Sequence, residues 1–271
     1  MRVAVGEWVF DVRVGGPDGG VPVLLLHGFP ENAGVWDEVV PLLPGHRTIA
    51  PDQRGYSPGA RPADVAAYRV TELAADALGI LDALGVGAAH VLGHDWGAVV
   101  GWQLAARHPD RVRSLTAVSV PHPAALAAAM REDPEQAEKS RYIAVFRQPG
   151  AEERLLADGA RRLRRMFGPL PRAEEFVRPL TEPGALTAAL NWYRAMSSED
   201  LVGPVAVPTT YVWGTEDAAV SRRAAESCAD HVTGDFTFVE LPGVDHWVPE
   251  LEPAAVAAAA LTRMAGAPAG P

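Results

Sequence analysis

Short apolar runs, separated by stretches with helical spacing, make up most of the chain. Residues 2–14 alternate between apolar and polar side chains, which is typical of strands with one exposed face. Val21–Leu26 is continuously apolar, as expected for a strand that is buried on both faces of a parallel sheet. Similar runs recur at residues 48–50, 90–92, 115–120, 209–213 and 236–241. The pattern therefore predicts several strands of one buried sheet.

Helical spacing fills the intervals between these runs. Within residues 70–84, apolar side chains recur every three or four positions, as on the buried face of an amphipathic helix. Strands that alternate with helices predict an α/β fold, with a mostly parallel central sheet flanked by helices. Between Pro121 and Pro204 the pattern is helical throughout. Because this interval is too long for a connecting loop, we expect a helical cap inserted after the sixth strand.

The chain is thus predicted to divide into a core in two parts and one insertion. We expect residues 1–120 to form the first part of the core, residues 121–204 the helical cap, and residues 205–271 the second part of the core. A length of 271 residues is sufficient for one large α/β domain with a sizeable apolar interior.

Charge and composition narrow the range of partners. The net charge is −10, so no basic field attracts a nucleic acid or an anionic membrane. The longest apolar run, residues 254–261, is far shorter than the roughly 20 residues that cross a bilayer. Glu7 and Asp11 interrupt any signal-peptide core. We therefore expect a cytoplasmic protein, a monomer or homodimer, with no nucleic-acid or membrane partner.

The most specific motif is Gly-His-Asp-Trp-Gly at residues 93–97, between a predicted strand and a predicted helix at residues 98–107. In such a turn the flanking glycines relieve crowding, so that the middle side chain points out at the end of the sheet. Here the middle residue is Asp95, and an ionised carboxylate can attack an electrophilic carbon without activation by a base. Attack on an ordinary ester would give a reactive anhydride. Asp95 as a nucleophile therefore indicates alkyl substrates, such as epoxides or alkyl halides.

Hydrolysis of the resulting enzyme ester needs a general base and an acid that orients it. Asp217 stands three residues after Gly214 at the end of a predicted strand, and His246 follows the next strand. The order nucleophile, acid, histidine is that of the α/β-hydrolase triad, so we assign Asp217 as the acid and His246 as the base. Glu216 and Asp245 are weaker alternatives for the acid. The remaining histidines are interpreted as surface or core residues: His27, His46, His90, His94, His108, His122 and His231.

A turn with the sequence His-Gly-Phe-Pro, residues 27–30, follows the buried strand Val21–Leu26. We expect the main-chain amides of Phe29 and of Trp96, the residue after the nucleophile, to form an oxyanion hole. These amides would stabilise the negative oxygen that develops while the enzyme ester is hydrolysed.

These motifs together resemble those of the epoxide hydrolases of the α/β-hydrolase fold, over nearly the whole chain. The resemblance is carried by HGFP at 27–30, DQRGYS at 52–57, GHDWG at 93–97, WGTED at 213–217 and GVDHW at 243–247. Haloalkane and haloacetate dehalogenases share the same core motifs. The motifs therefore indicate the fold and the Asp95 nucleophile more strongly than they indicate the substrate.

Two tyrosines favour the epoxide. Expulsion of an alkoxide needs a proton or a strong hydrogen bond, whereas release of a halide does not. In epoxide hydrolases two stretches of the cap each supply one ring-opening tyrosine, and Tyr142 and Tyr193 are the residues that match. The resemblance therefore implies that Tyr142 and Tyr193 hold and protonate the epoxide oxygen. We expect Phe146, Trp192 and Trp247 to bind substrate.

The sequence thus predicts an epoxide hydrolase that converts a small apolar epoxide and water to a vicinal diol without a metal or organic cofactor. A dehalogenase with the same nucleophile is the main alternative. Haloacetate dehalogenases tend to have an arginine where this chain has Trp96, and many haloalkane dehalogenases have a halide-binding asparagine where it has Phe29. Trp96 itself would suit a halide. A ligand-binding homologue without catalysis is a further alternative, disfavoured by the intact set of Asp95, Asp217 and His246.

Overall fold

A twisted sheet of eight strands crosses the centre of the computed structural model, which describes residues 1–267. The strands are β1 Arg2–Val5, β2 Trp8–Gly15, β3 Val21–Leu26, β4 His46–Pro51, β5 Ala89–His94, β6 Val112–Val118, β7 Thr209–Gly214 and β8 Phe236–Leu241. Their order in the sheet is β1-β2-β4-β3-β5-β6-β7-β8. Residues 268–271, at the end of the predicted second part of the core, lie outside the described residues.

Parallel pairing predominates, as the apolar runs predicted. Only β2 is antiparallel to its neighbours, β1 and β4. The alternating stretch at residues 2–14 forms both β1 and β2, because the chain reverses at Gly6, where φ is +58°. The predicted fold class, a mostly parallel sheet flanked by helices, is confirmed.

Helices follow most of the strands. They are α1 Val70–Ala83, α2 Trp96–Arg107, α3 Pro123–Glu132, α4 Pro134–Lys139, α5 Arg141–Phe146, α6 Ala151–Met166, α7 Ala173–Leu180, α8 Ala185–Ala195, α9 Arg222–Glu226, α10 Val248–Leu251 and α11 Pro253–Ala265. Within α6 the helix is interrupted at residues 157–160, where three consecutive residues have left-handed backbone angles. No helix in the described part of the chain is both long enough and apolar enough to cross a membrane.

Helices α3 to α8 all lie between β6 and β7 in the chain, and we refer to residues 121–204 as the helical segment. Side-chain contacts attach it to the rest of the protein. The indole of Trp192 on α8 donates a hydrogen bond to the main-chain oxygen of Arg54 at 2.8 Å. From α4, Gln136 donates to the main-chain oxygen of Ala219 at 2.8 Å. The helical segment therefore contacts loops of the core on both sides of the sheet's centre.

The apolar side chains of β3 place this strand in the buried centre of the sheet. Leu24, Leu25 and Leu26 are fully buried on both faces, and burial of each leucine contributes about 1.5–3 kcal/mol. Strand β3 lies beside β5 in parallel register, with Leu26 opposite Gly93. The turns that follow these two strands are therefore neighbours at the same edge of the sheet.

Candidate active site

Asp95 occupies a tight turn between the end of β5 and the start of α2. Its backbone angles, φ 52° and ψ −118°, are unusual for a residue with a side chain and cost about 1–3 kcal/mol. The flanking glycines are required by the close packing of the turn. A Cβ on Gly93 would lie 2.3 Å from the carbonyl oxygen of Gly97, and a Cβ on Gly97 would lie 1.9 Å from that of Leu26. The sequence of the turn therefore permits the strained presentation of Asp95.

The turn after β3 holds one oxygen of this carboxylate. The main-chain amide of Phe29 donates a hydrogen bond to Oδ1 of Asp95 at 2.7 Å. The approach is close enough that a Cβ on Gly28 would lie 2.4 Å from the same oxygen. Of the two amides predicted for the oxyanion hole, that of Phe29 thus contacts Asp95 directly. Trp96 is the first residue of α2, so its amide has no partner within the helix.

His246 lies between two carboxylates. Its Nε2 is 3.4 Å from Oδ2 of Asp95, and its Nδ1 donates to Oδ2 of Asp217 at 2.9 Å. Asp217 is fully buried, and its Oδ1 accepts hydrogen bonds from the amides of Ala219 and Val220. These amides fix the carboxylate, and the carboxylate in turn fixes the ring of His246.

Glu216 and Asp245, the weaker alternatives for the orienting acid, lie elsewhere. Glu216 is exposed to solvent. Oδ1 of Asp245 accepts a hydrogen bond from the main-chain amide of Trp247 at 3.0 Å. Asp217 is therefore the carboxylate that the structure brings against the imidazole Nδ1 of His246.

The pKa values of Asp95 and His246 are shifted more by their charged neighbours than by burial. Burial alone raises the pKa of Asp95, but the hydrogen bond and charge of His246 outweigh it, and the pKa is lowered. Burial alone lowers the pKa of His246, but the charges and hydrogen bonds of Asp217 and Asp95 raise it well above 6.5. The two shifts have opposite directions, so each group favours the charged form of the other.

A second buried pair, which the sequence reasoning missed, lies behind this site. Nδ1 of His94 is 2.7 Å from Oε2 of Glu31, and both side chains are fully buried. Nε2 of His94 lies 2.9 Å from the main-chain oxygen of His246, which can only accept a hydrogen bond. Burial lowers the pKa of His94, but the charge and hydrogen bond of Glu31 raise it above the ordinary value. Both ring nitrogens of His94, which we interpreted as a surface or core residue, therefore face hydrogen-bond acceptors in the buried interior.

Tyr142 and Tyr193 come from different helices, α5 and α8, and meet near Asp95. Their ring centroids are 6.1 Å apart at an interplanar angle of 81°. Burial and the charge of Asp95 raise the pKa of Tyr142, so its hydroxyl stays protonated. Burial also raises the pKa of Tyr193, followed by the effects of Tyr142 and Asp95, and a hydrogen bond with the Trp96 side chain opposes the shift only in part. Both hydroxyl groups are therefore available as hydrogen-bond donors.

Two cavities open beside Asp95. The larger, about 410 Å³, is lined by α6 residues such as Leu155 and Met166, and we call it the α6 cavity. The smaller, about 260 Å³, is lined by α3 residues such as Leu126 and Met130, and we call it the α3 cavity. Both cavities are lined by Asp95, Tyr142 and Tyr193. The predicted nucleophile and the two predicted proton donors therefore line both cavities.

The three aromatic residues that we expected to bind substrate differ in position. Phe146 and Trp247 line the α6 cavity. Trp192 is fully buried, lines neither cavity, and packs against His27 and Tyr56. Its indole is engaged with the main chain of the core, so we assign it no contact with substrate.

The chain is similar to known proteins over most of its length. Residues 21–253 match the family model of the alpha/beta hydrolase fold. The chain belongs to the alpha/beta hydrolase fold family. This α/β hydrolase is 35% identical to epoxide hydrolase A of Mycobacterium tuberculosis, over 94% of the chain and 93% of that relative. It is also 35% identical to the AB hydrolase superfamily protein YfhM of Bacillus subtilis, over 90% of each protein.

Solved structures agree with these relatives. The crystal structure of epoxide hydrolase A from Mycobacterium thermoresistibile superposes on this α/β hydrolase with a TM-score of 0.87 at 29% identity, covering 99% of the chain and 98% of that structure. An epoxide hydrolase from metagenomes of hot environments has a TM-score of 0.85 at 30% identity, covering 98% of each chain. The resemblance to epoxide hydrolases that the motifs indicated is thus confirmed.

Proposed function

We propose that this α/β hydrolase is an epoxide hydrolase that converts a small apolar epoxide and water to a vicinal diol through an ester on Asp95. The observation that carries the proposal is that Asp95, Tyr142 and Tyr193 line the same two cavities. A nucleophile and two protonated phenols facing one space are what ring opening requires. The names of the similar proteins, epoxide hydrolase A among them, support the same reaction.

In the first step, the two oxygens of Asp95 have different roles. Oδ1 is held by the Phe29 amide and becomes the carbonyl oxygen of the ester. Oδ2 attacks a ring carbon, and the bond between that carbon and the epoxide oxygen breaks. Tyr142 and Tyr193 bind the departing oxygen, and one of them gives it a proton. The product of this step is a hydroxyalkyl ester of Asp95.

In the second step, water attacks the carbonyl carbon of the ester while His246 accepts a proton from it. The amides of Phe29 and Trp96 stabilise the negative oxygen that forms. When this intermediate collapses, the bond between the carbonyl carbon and the diol oxygen breaks, that oxygen takes the proton held by His246, and the diol leaves. The proton that remains on Asp95 passes to the imidazole, which restores the starting state. The oxygen added to the substrate therefore comes from Asp95, and the carboxylate regains its oxygen from water.

The charges around His246 explain how one residue can be a cation at rest and a base later. In the free protein Asp217 and Asp95 both raise the pKa of His246. Ester formation removes the charge of Asp95, so only Asp217 remains to hold the proton. The pKa of His246 then falls, so the ring can pass its proton to the tyrosinate left by ring opening. The neutral imidazole can then accept a proton from water.

We further propose that the helical segment, residues 121–204, acts as a cap over Asp95. Helices α5, α6 and α8 all contribute residues to the cavity walls, among them Phe146, Leu155 and Tyr193. These walls exclude bulk water from the carboxylate, which strengthens the hydrogen bonds made there.

A single turnover in heavy-oxygen water tests the proposal. With enzyme in excess over styrene oxide, we expect the first diol to lack the heavy isotope and Asp95 to gain it. Heavy oxygen in the first diol would exclude the covalent route. In the variant His246→Gln, water is not activated, so the intact protein should gain the mass of one epoxide, whereas Asp95→Asn should gain none.

The alternative functions, a dehalogenase and a ligand-binding homologue, are tested by assays on the same protein sample. Release of halide from 1-chlorobutane faster than hydrolysis of any epoxide would replace the proposal with a dehalogenase. The side chain of Trp96 is hydrogen-bonded with Tyr193, which leaves it less available to hold a halide. Tight binding of styrene oxide with no product from either substrate class would support a ligand-binding homologue.

A further inference from the structure

The α6 and α3 cavities meet at Asp95, Tyr142 and Tyr193, which we call the junction. Among the described residues, these three are the only ones that line both cavities. Beyond these residues the walls differ, so one cavity extends from the reacting groups along α6 and the other along α3. An epoxide whose oxygen contacts the tyrosines and whose carbon faces Asp95 must itself sit at the junction.

The two ring carbons of an epoxide carry their substituents in different directions. With the ring at the junction, a substituent on one carbon extends into the α6 cavity and a substituent on the other extends into the α3 cavity. A terminal epoxide, with one substituent, fills only one of the two. An epoxide with a substituent on each carbon fills both.

The walls of both cavities are mostly apolar, although Arg162 also lines the α6 cavity and Asp200 also lines the α3 cavity. In the α6 cavity the walls include Phe146, Leu155 and Met166. In the α3 cavity the walls beyond the junction include Leu126 and Ile143, together with Met130 and Leu201, which are partly exposed. Burial of alkyl groups in such spaces is favourable by about fourfold in binding for each methylene. Each cavity therefore suits an alkyl or aryl group.

We propose that the preferred substrates are epoxides with one apolar substituent on each ring carbon, the larger in the 410 Å³ α6 cavity and the smaller in the 260 Å³ α3 cavity. The proposal rests on the epoxide hydrolase function argued above and adds the substrate class. It also makes the α3 cavity the part of the protein that distinguishes internal from terminal epoxides.

Ala127 offers a way to test the α3 cavity alone. This residue lines the α3 cavity on helix α3, whereas its neighbour Ala128 lines neither cavity. Both alanines are half-buried on the same helix. Ala127→Phe would fill the cavity, and Ala128→Phe is the matched control for any effect of a large side chain on α3.

The substrates are styrene oxide and its homologues with methyl, propyl or pentyl on the second ring carbon, and the measured quantity is kcat/KM. We expect kcat/KM of the wild-type protein to rise along the alkyl series, by about fourfold for each enclosed methylene. In Ala127→Phe the pentyl homologue should lose at least about tenfold, while styrene oxide changes by less than about twofold. Intrinsic reactivity is the same for both proteins, so the comparison isolates the cavity.

Each outcome is decisive. Equal losses for styrene oxide and the pentyl homologue, no loss for either, or the same losses in Ala128→Phe would overturn the inference. If the wild-type protein hydrolyses styrene oxide but none of its homologues, the two-cavity preference is wrong and the proposed function stands. If it hydrolyses none of these epoxides, the proposed function itself fails.

Discussion

Nε2 of His94 donates a hydrogen bond to the main-chain oxygen of His246 at 2.9 Å. The hydroxyl of Ser119 donates to the same oxygen at 2.8 Å. The residue before the candidate nucleophile thus fixes the backbone of the candidate base, and Glu31 fixes the ring of His94 from its other side. Through this pair, Glu31 positions His246 without contacting it.

Glu31→Gln should therefore lower the free energy of unfolding and leave His246 less well positioned as a general base. Removal of one partner of a buried ion pair costs about 3–5 kcal/mol in free energy of unfolding. Because the folded pKa of His94 is raised, the contribution of the pair is complete below its ordinary pKa of 6.5 and is lost as pH rises through the folded pKa. Urea unfolding of both proteins should thus show a difference that shrinks at alkaline pH. A difference that does not depend on pH would contradict the ion pair.

The pKa of His246 should respond to the charge of Asp95. Asp95→Asn has the charge of the proposed ester, so the pKa of His246 should be lower in this variant than in the wild-type protein. Asp217→Asn should lower it further, because Asp217 makes the larger contribution. Titration of the His246 ring by NMR measures both shifts. An unchanged pKa in Asp95→Asn would remove our explanation of how His246 becomes a base.

Tyr142→Phe and Tyr193→Phe should each slow ring opening. Proton donation in a transition state contributes about 10²–10⁴-fold, so we expect losses of about 10-fold or more for each variant and a larger loss for both together. The rate of ester formation, measured by rapid mixing and intact-protein mass spectrometry, should fall. The rate at which an ester already formed is hydrolysed should not change. Tyr68→Phe is the control, because its hydroxyl donates to the main-chain oxygen of Pro62 and lies outside both cavities.

Acid should destabilise the protein through two buried histidines. Burial lowers the pKa of His90 and that of His122 to about 4. Below pH 6.5 the unfolded chain binds protons that these folded residues do not, so stability falls between pH 6.5 and about 4. Each residue contributes up to about 1.4 kcal/mol per pH unit in this range.

His122→Asn isolates one of the two residues. The asparagine oxygen can replace Nδ1, which accepts a hydrogen bond from the amide of Ala124 at the start of α3. Thermal unfolding between pH 4 and pH 7 should then show a shallower pH dependence in the variant. The same slope in both proteins would mean that His122 titrates normally in the folded state.

Much of the fold follows from local patterns. The continuous apolar run of β3 predicts burial on both faces, and Leu24 to Leu26 are fully buried there. Helix α1 has the spacing that the sequence indicates, with Leu73, Ala77 and Leu81 buried. Alternation alone does not mark the chain reversal at Gly6, because both strands of the hairpin continue the same period of two.

The candidate site was predictable where one short motif carries one role. Asp95, Asp217 and His246 each follow a strand, and parallel strands bring such ends to one edge of the sheet. The Glu31–His94 pair joins residues 63 positions apart, and neither has a local pattern that distinguishes it. The positions of Trp192 and Trp247 were not predictable either, because the local sequence does not distinguish a tryptophan in a cavity wall from one packed in the core.

The clearances around the nucleophile turn restrict what can replace its glycines. At Gly93 and Gly97 a single methyl group would overlap main-chain atoms at 2.3 Å or less, whereas at Gly28 it would overlap the side chain of Asp95 at 2.4 Å. In a randomised collection of variants screened only for folding, alanine at positions 93 and 97 should already be rare. Invariance at these two positions would report how closely the ends of β3 and β5 and the start of α2 pack, and it would say nothing about whether a given member of the collection turns over a substrate.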